Sequence, residues 1–158
     1  MAYRLDKITI RLKNDEEGIK KINELFEDIV SGKIPLINDS NGKLIDGISP
    51  ISEYSNYESD ETGNYDFSVI AADKEFIFHL EKLADEGVFK KYIAKGADVH
   101  EAAMKAWNQV WNDEEIQRTF DKDYESTVPG FLTKDGKAHC YLYIGIWWLK
   151  KVGDGEII

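Results

Sequence analysis

The clearest structural signal in the sequence is residues 98–127, DVHEAAMKAWNQVWNDEEIQRTFDKDYEST. Asp98 is suited to cap a helix, because its carboxylate can accept the amide hydrogens of the first turn, and Glu101 completes a capping box. The spacing of apolar residues predicts a helix over 98–115 with one buried face. These residues are Val99, Ala103, Ala106, Trp107, Val110 and Trp111. A short strand around residues 123–125 is predicted to follow, closed by Pro129-Gly130.

The rest of the chain predicts further elements in a regular order. Residues 7–13 alternate apolar and polar, which is typical of a half-buried strand, and Asn14 or Asp15 can cap a helix that runs to about Val30. Residues 51–59 and 65–72 predict a hairpin turning near Gly63-Asn64. Residues 76–86 fit either a short helix or an anchored loop. Strands are predicted at 88–95 and, after the main helix and the strand around Tyr124, at 138–146.

Each half therefore has the predicted order strand, helix, strand, strand, over about residues 5–73 and 88–146 of a single 158-residue domain. We expect an α+β fold with the helices on one side of an antiparallel sheet. Sequence identity between the halves is negligible, so only the order of elements repeats. Two such units are expected to pair pseudo-symmetrically around a central ligand cleft. Residues 147–158 are expected to form a C-terminal tail, in which Trp147 and Trp148 extend the last strand and the final residues fray.

The composition limits the possible partners. Thirty acidic and 20 basic residues give a net charge of −10, which disfavours nucleic acid and favours a cationic small molecule or a basic protein surface. The alternative is that the acidity only keeps the protein soluble. The single cysteine, Cys140, excludes an internal disulfide and a cysteine-rich zinc site. No signal peptide or membrane span is apparent, so we expect a cytoplasmic protein without a membrane partner.

Two motifs support a resemblance to a known family. Residues 57–60, Tyr-Glu-Ser-Asp, precede Gly63-Asn64-Tyr65, and the pair Tyr124-Glu125 follows the second main helix. With the order of elements over residues 7–146, they resemble the gyrase-inhibitor-like effector-binding domains. These domains form the ligand-sensing part of some AraC-type and MerR-type transcription regulators, and they also occur alone, for example in integron cassette proteins that bind cationic drugs.

The chain departs from that family pattern at two positions. Thr127 stands where the family commonly has a tyrosine, and Tyr141 stands where many members have an acid in the last strand. We expect no helix-turn-helix segment on either side of the domain. The resemblance therefore implies a stand-alone binder of amphipathic or cationic aromatic molecules, with an expected link to transcription regulation or drug sensing, in which Glu125 is the remaining pocket acid.

Glu125 is the acid that we single out as a candidate ligand. On a strand it shares a face with Asp123, and Tyr124 takes the other face. A carboxylate in an aromatic cleft attracts a cation by charge and through cation–π contacts with the rings. The alternative is a solvated strand acid. Either one of Trp107 and Trp111 forms the floor of the cleft, or both pack in the core against the sheet. The tyrosines either line the pocket or are merely half-buried; they are Tyr54, Tyr57, Tyr65, Tyr141 and Tyr143.

The sequence predicts no catalytic residue, metal or cofactor. His79, His100 and His139 lack metal-ligand spacing, and His139 and Cys140 are strand neighbours that point to opposite faces. No phosphate-binding loop, dinucleotide fingerprint or nucleophile elbow is present.

Three functional hypotheses remain, each for a monomer or weak homodimer. The first is the small-molecule binder. The second, implied by the resemblance, is a hydrolase of reactive electrophilic small molecules that uses a pocket Glu. The third is an acidic protein-interaction module similar to the gyrase inhibitor.

Overall fold

A computed structural model describes residues 6–149 of the chain. The chain divides into two compact units, and the division between His79 and Leu80 falls within a helix. The described residues contain six strands and three α-helices. In chain order they are β1 (Lys7–Leu12), α1 (Glu16–Val30), β2 (Ser49–Ser55), β3 (Tyr65–Ala72), α2 (Lys74–Asp85), β4 (Phe89–Gly96), α3 (Val99–Trp111), β5 (Ile116–Val128) and β6 (Ala138–Leu149).

Unit 1 is built on β3, which pairs antiparallel with β1 on one side and β2 on the other. The helix α1 begins where Asp15 accepts a hydrogen bond from the Gly18 amide at 2.8 Å, as the capping pattern predicted. The apolar stripe of α1 packs against alternate residues of β1 and β3. This core includes Leu12, Leu25, Ile29, Tyr65, Phe67 and Val69.

Unit 2 repeats that arrangement around β6, which pairs antiparallel with β4 and β5. Asp98 caps α3 by accepting from the Glu101 amide at 2.8 Å. A Cβ atom on Gly96 would lie only 2.7 Å from the Ala102 nitrogen, so the glycine allows β4 to approach the first turn of α3. The small residues of α3 pack on the sheet. This core includes Ala102, Ala106, Val110, Cys140, Leu142 and Ile144.

The predicted α+β class and the order strand, helix, strand, strand in each half are confirmed. In both units the third strand is central, and one helix packs on its sheet. The region of residues 76–86, which fitted a helix or a loop, is the helix α2. The helix α3 ends at Trp111 instead of continuing to residue 115, because Asp113 turns towards β4, where it binds Lys90 and Tyr92.

The strand β5 begins earlier than predicted. An irregularity in its first half breaks the period-two pattern from which a strand is recognised. Its pairing with β6 shifts between Arg118 and Asp123, and Phe120 there has a positive φ of 52°. Asp123 is fully buried and accepts hydrogen bonds from Arg118 Nη2 at 2.8 Å and from the Gly145 amide at 2.9 Å. A Cβ atom on Gly145 would lie 2.7 Å from Thr119 Oγ1. Asp123 and Gly145 together therefore hold the bulged strand against β6.

Only part of the predicted C-terminal tail is within the described residues. The strand β6 ends at Leu149 and so includes positions 147 and 148, as predicted for the two tryptophans. The predicted fraying of the final residues concerns positions 150–158, which lie outside the described residues. No helix within residues 6–149 combines the length and the apolarity needed to cross a bilayer.

The buried pair of Arg118 and Asp123 gives a first testable expectation. We expect Asp123→Asn to lower the free energy of unfolding by about 3 kcal/mol, because it leaves a guanidinium that is only 10% exposed without its counter-charge. Urea unfolding followed by tryptophan fluorescence measures this change.

An exposed ion pair provides the matched control for that substitution. Asp28 lies 3.9 Å from Lys33 on the surface of unit 1, so Asp28→Asn should change the free energy of unfolding by less than about 0.5 kcal/mol. Equal effects of the two substitutions would show that Asp123 does not hold β5 through a buried charge pair.

Asp113 gives a pH-dependent expectation. Burial opposes its ionisation, but hydrogen bonds from Lys90 at 2.5 Å and Tyr92 at 2.6 Å outweigh this effect and lower its pKa to about 2. Because this pKa is below that of an unfolded aspartate, ~3.9, the stabilisation is complete well above pH ~4 and is lost as the pH falls towards 2. We therefore expect the difference in unfolding free energy between wild type and Asp113→Asn to be largest near pH 7 and to shrink in acid. A difference that stays constant down to pH 3 would contradict this assignment.

Candidate ligand-binding site

Glu125 is held by a hydrogen bond between strand and helix. It lies opposite Leu142 of β6, on the face of the sheet that α3 covers. The indole Nε1–H of Trp107 donates to Glu125 Oε1 at 3.0 Å, and the carboxylate is half-buried. The indole is a neutral donor, and its hydrogen bond positions the carboxylate beside the ring.

The two tryptophans of α3 form a continuous aromatic surface beside that carboxylate. The rings of Trp107 and Trp111 stack with their centroids 6.0 Å apart and an interplanar angle of 28°. Trp107 is partly buried against the core, whereas Trp111 is 53% exposed. One helix face therefore presents an accessible indole whose stacked neighbour contacts an acid.

Arg118 is the cation next to this aromatic surface. Its guanidinium carbon lies 5.9 Å from the centroid of the Trp107 ring and 4.3 Å from that of Phe120. The buried carboxylate of Asp123 compensates its charge. Arg118 therefore contributes mainly a flat, desolvated surface, and its charge is already balanced where it meets the indole.

Cys140 lies on the same face of the sheet and is fully buried. Burial raises the pKa of its thiol, and the negative charge of Glu125 raises it further. The thiol is therefore protonated at neutral pH and is a poor nucleophile.

Tyr141 and Tyr143 lie on the opposite face of the unit 2 sheet from Glu125. Tyr143 is paired with Tyr124 on one side and Lys91 on the other, and Tyr141 is paired with Ser126 and Ile93. Because directly paired residues share a face, the register separates both tyrosines from Glu125, which pairs with Leu142. Tyr141 and Tyr143 instead contact a network of charged side chains.

Glu81 of α2 organises that network. Its carboxylate accepts a hydrogen bond from the Tyr143 hydroxyl and pairs with Lys91 Nζ at 2.7 Å. The Lys91 ammonium lies 5.3 Å from the Tyr141 ring centroid and 5.7 Å from that of Tyr143. Burial opposes ionisation of Glu81, yet the bonds from Lys91 and Tyr143 keep its pKa below the usual value. Burial, reinforced by the bond to Glu81, raises the pKa of Tyr143.

The three remaining predicted tyrosines are in unit 1. Tyr65 is buried within the core, where its hydroxyl donates to Asn14 Oδ1 at 2.6 Å. Its ring centroid lies 5.7 Å from those of both Tyr54 and Tyr57. Tyr54 also contacts Phe67 edge to face at 5.3 Å. These rings form part of the packing beneath α1.

Within unit 2 the structure groups Glu125 with Trp107 and Trp111 but not with Tyr141 and Tyr143. The predicted roles of Tyr54, Tyr57, Tyr65, Tyr141 and Tyr143 in ligand binding stay predictions. Reasoning from the sequence missed Arg118 and Phe120, because both lie in the irregular part of β5. It also missed Glu81 and Lys91, which meet only through the packing of α2 on the sheet. Within residues 6–149, no group of three or more His, Cys, Asp or Glu side chains is arranged to hold a metal ion.

Comparison with known proteins supports the fold. No family model matches the sequence, and no curated protein is significantly similar to it. A solved structure of an integron cassette protein from the mobile metagenome of Vibrio cholerae is similar, with a TM-score of 0.57 and 19% sequence identity over 90% of this chain and 94% of that one. At this level of identity the likeness concerns the fold alone.

Proposed function

We propose that this protein binds amphipathic, cationic aromatic molecules on the surface formed by Glu125, Trp107 and Trp111. The observation that carries the proposal is the hydrogen bond of 3.0 Å between Trp107 Nε1 and Glu125 Oε1. It places a carboxylate at the edge of an indole stack, and these two groups attract an aromatic organic cation through opposite charge and ring contacts.

The charge distribution around the surface supports a cation over an anion. The charge of Arg118, which contacts Trp107, is already balanced by the buried Asp123. The pKa of the Cys140 thiol is raised by burial and, in addition, by the negative charge of Glu125. The chain as a whole has a net charge of −10, which attracts cations over longer distances.

The two other functions suggested by the sequence are a hydrolase that uses a pocket Glu and an acidic interaction module. Both stay predictions. The hydrolase hypothesis needs Glu125 to act as a base towards water, and the interaction hypothesis needs acids concentrated on one face. Neither requires the indole stack, so the binding experiments below distinguish them from a ligand site.

Two ions of the same shape and opposite charge test the proposal directly. We expect tetraphenylphosphonium to bind and tetraphenylborate to bind at least tenfold more weakly. Glu125→Gln should weaken tetraphenylphosphonium binding roughly tenfold, or ~1.4 kcal/mol. This is less than the ~4 kcal/mol between two charges 4 Å apart at an effective dielectric constant of about 20, since water compensates part of the interaction. Isothermal titration calorimetry measures both affinities.

Glu86→Gln is the matched control, because it removes the same charge from an exposed position after α2. It should leave the affinity for tetraphenylphosphonium within about twofold of wild type. Equal affinity for both ions, or equal losses from the two substitutions, would contradict the role of Glu125.

Trp111 should contribute through its exposed ring. We expect Trp111→Ala to weaken tetraphenylphosphonium binding by about 1 kcal/mol, or roughly fivefold, while stability changes little because the ring is 53% exposed. Phe78→Ala removes another exposed aromatic ring, on α2, and should not alter binding. An unchanged affinity in Trp111→Ala would contradict the contribution of Trp111 to this site.

A further inference from the structure

A second cluster of chemically active side chains lies near the turn between β5 and β6, on the face of the sheet opposite Glu125. His139 is the centre of this cluster. Its Nε2 lies 3.0 Å from Asp135 Oδ1, and its Nδ1 lies 3.1 Å from the Tyr141 hydroxyl. Asp135 is itself held by the Lys137 amide at 3.0 Å, by the Thr133 hydroxyl at 3.1 Å and by Lys95 Nζ at 2.9 Å.

The direction of these hydrogen bonds follows from the chemistry of the groups. An ionised carboxylate only accepts, so Nε2 of His139 must carry a hydrogen towards Asp135. Bonds from Lys95 and Lys137, together with that from His139, keep the pKa of Asp135 well below its usual range, so it is ionised. In the neutral imidazole Nδ1 is then the acceptor, and the Tyr141 hydroxyl donates to it. The three side chains form a chain from phenol to base to carboxylate.

A shallow groove of about 470 Å³ lies beside this chain. Val128 and Leu132 supply apolar wall, and Lys95 and Lys134 supply positive charge. Tyr141 and His139 both line the groove and are partly exposed. The Tyr141 side chain therefore borders the space that a small molecule would occupy, and two lysines line the same groove.

Tyr143, two positions further along the same strand, can be compared with Tyr141 by the partner of its hydroxyl group. Tyr143 donates its hydroxyl hydrogen to the Glu81 carboxylate, and its pKa is raised by burial and by that bond. A free imidazole is a stronger base than a free glutamate by roughly two pH units, so only Tyr141 donates to a group suited to removing its proton. The two phenols should consequently differ in reactivity.

We propose that Tyr141 is a nucleophile that accepts an acyl group from small activated esters bound in this groove. The phenol oxygen attacks the ester carbonyl carbon while its proton passes to Nδ1 of His139. The carbon–oxygen bond to the leaving group then breaks, and the departing alkoxide or phenoxide takes the proton from the imidazolium. Tyr141 is left as an ester, and Asp135 positions the imidazole throughout.

The proposal is tested on the full chain with p-nitrophenyl acetate. Release of p-nitrophenol is followed by absorbance, and the acetylated residues are identified by peptide mapping with mass spectrometry. We expect Tyr141 to be acetylated at least tenfold faster than Tyr57, which is also half-buried. His139→Asn keeps a hydrogen-bond acceptor near Nδ1 but removes the base, so it should slow acetylation of Tyr141 by about 100-fold.

His100→Asn is the matched control, since it removes an exposed histidine from α3 and should leave the rate at Tyr141 unchanged. Circular dichroism verifies that the His139 variant is folded. If it is not, the comparison of Tyr141 with Tyr57 in the wild-type protein decides the question. Acetylation confined to lysines or to His139, or a His139 variant as fast as wild type, overturns the proposal. The experiment contains no organic cation, so its result is independent of the proposed site at Glu125.

Discussion

Burial of the Asp123 carboxylate is the constraint on which the geometry of unit 2 depends. A charge that is removed from water must be paired and hydrogen-bonded, and here Arg118 and the Gly145 amide satisfy it. These bonds pin the bulged strand β5 to β6 with Asp123 pointing inwards. Because side chains alternate along a strand, Glu125 must then point inwards as well, towards Trp107, while Tyr124 points to the opposite face.

The two faces of the unit 2 sheet consequently carry different chemistry. The face under α3 has an acid contacted by a neutral indole, whereas the acids associated with the opposite face are already paired with lysines. Glu81 binds Lys91, and Asp135 binds Lys95. Glu81 and Asp135 therefore already have cationic partners among the side chains of unit 2. On the opposite face the hydroxyl of Tyr143 contacts Glu81 and that of Tyr141 contacts His139.

Local sequence signals were sufficient to predict most of the fold. The candidate site depends on the pairing of strands and the register of helix on strand, which local signals do not encode. The caps at Asp15 and Asp98 and the alternation in β1 are properties of a few adjacent residues, and the structure confirms them. The first half of β5 was missed because its pairing shifts, which breaks the period-two pattern. The bond from Trp107 to Glu125 joins residues 18 positions apart and requires the register of helix on strand. The contacts of His139 could have been predicted from the sequence. Asp135 lies four positions before His139 and Tyr141 lies two positions after it, around a turn marked by Gly136.

The burial of Cys140 has a consequence for measuring motion in this protein. Its thiol lies in the core between α3 and the sheet, and it is the single cysteine of the chain. A water-soluble alkylating reagent can reach it only when α3 lifts from the sheet or unit 2 opens. The rate of alkylation therefore reports the opening equilibrium of this unit from one natural position, without an introduced label. A molecule that bridges α3 and β5 would slow that rate in proportion to its occupancy, whatever its absorbance or fluorescence.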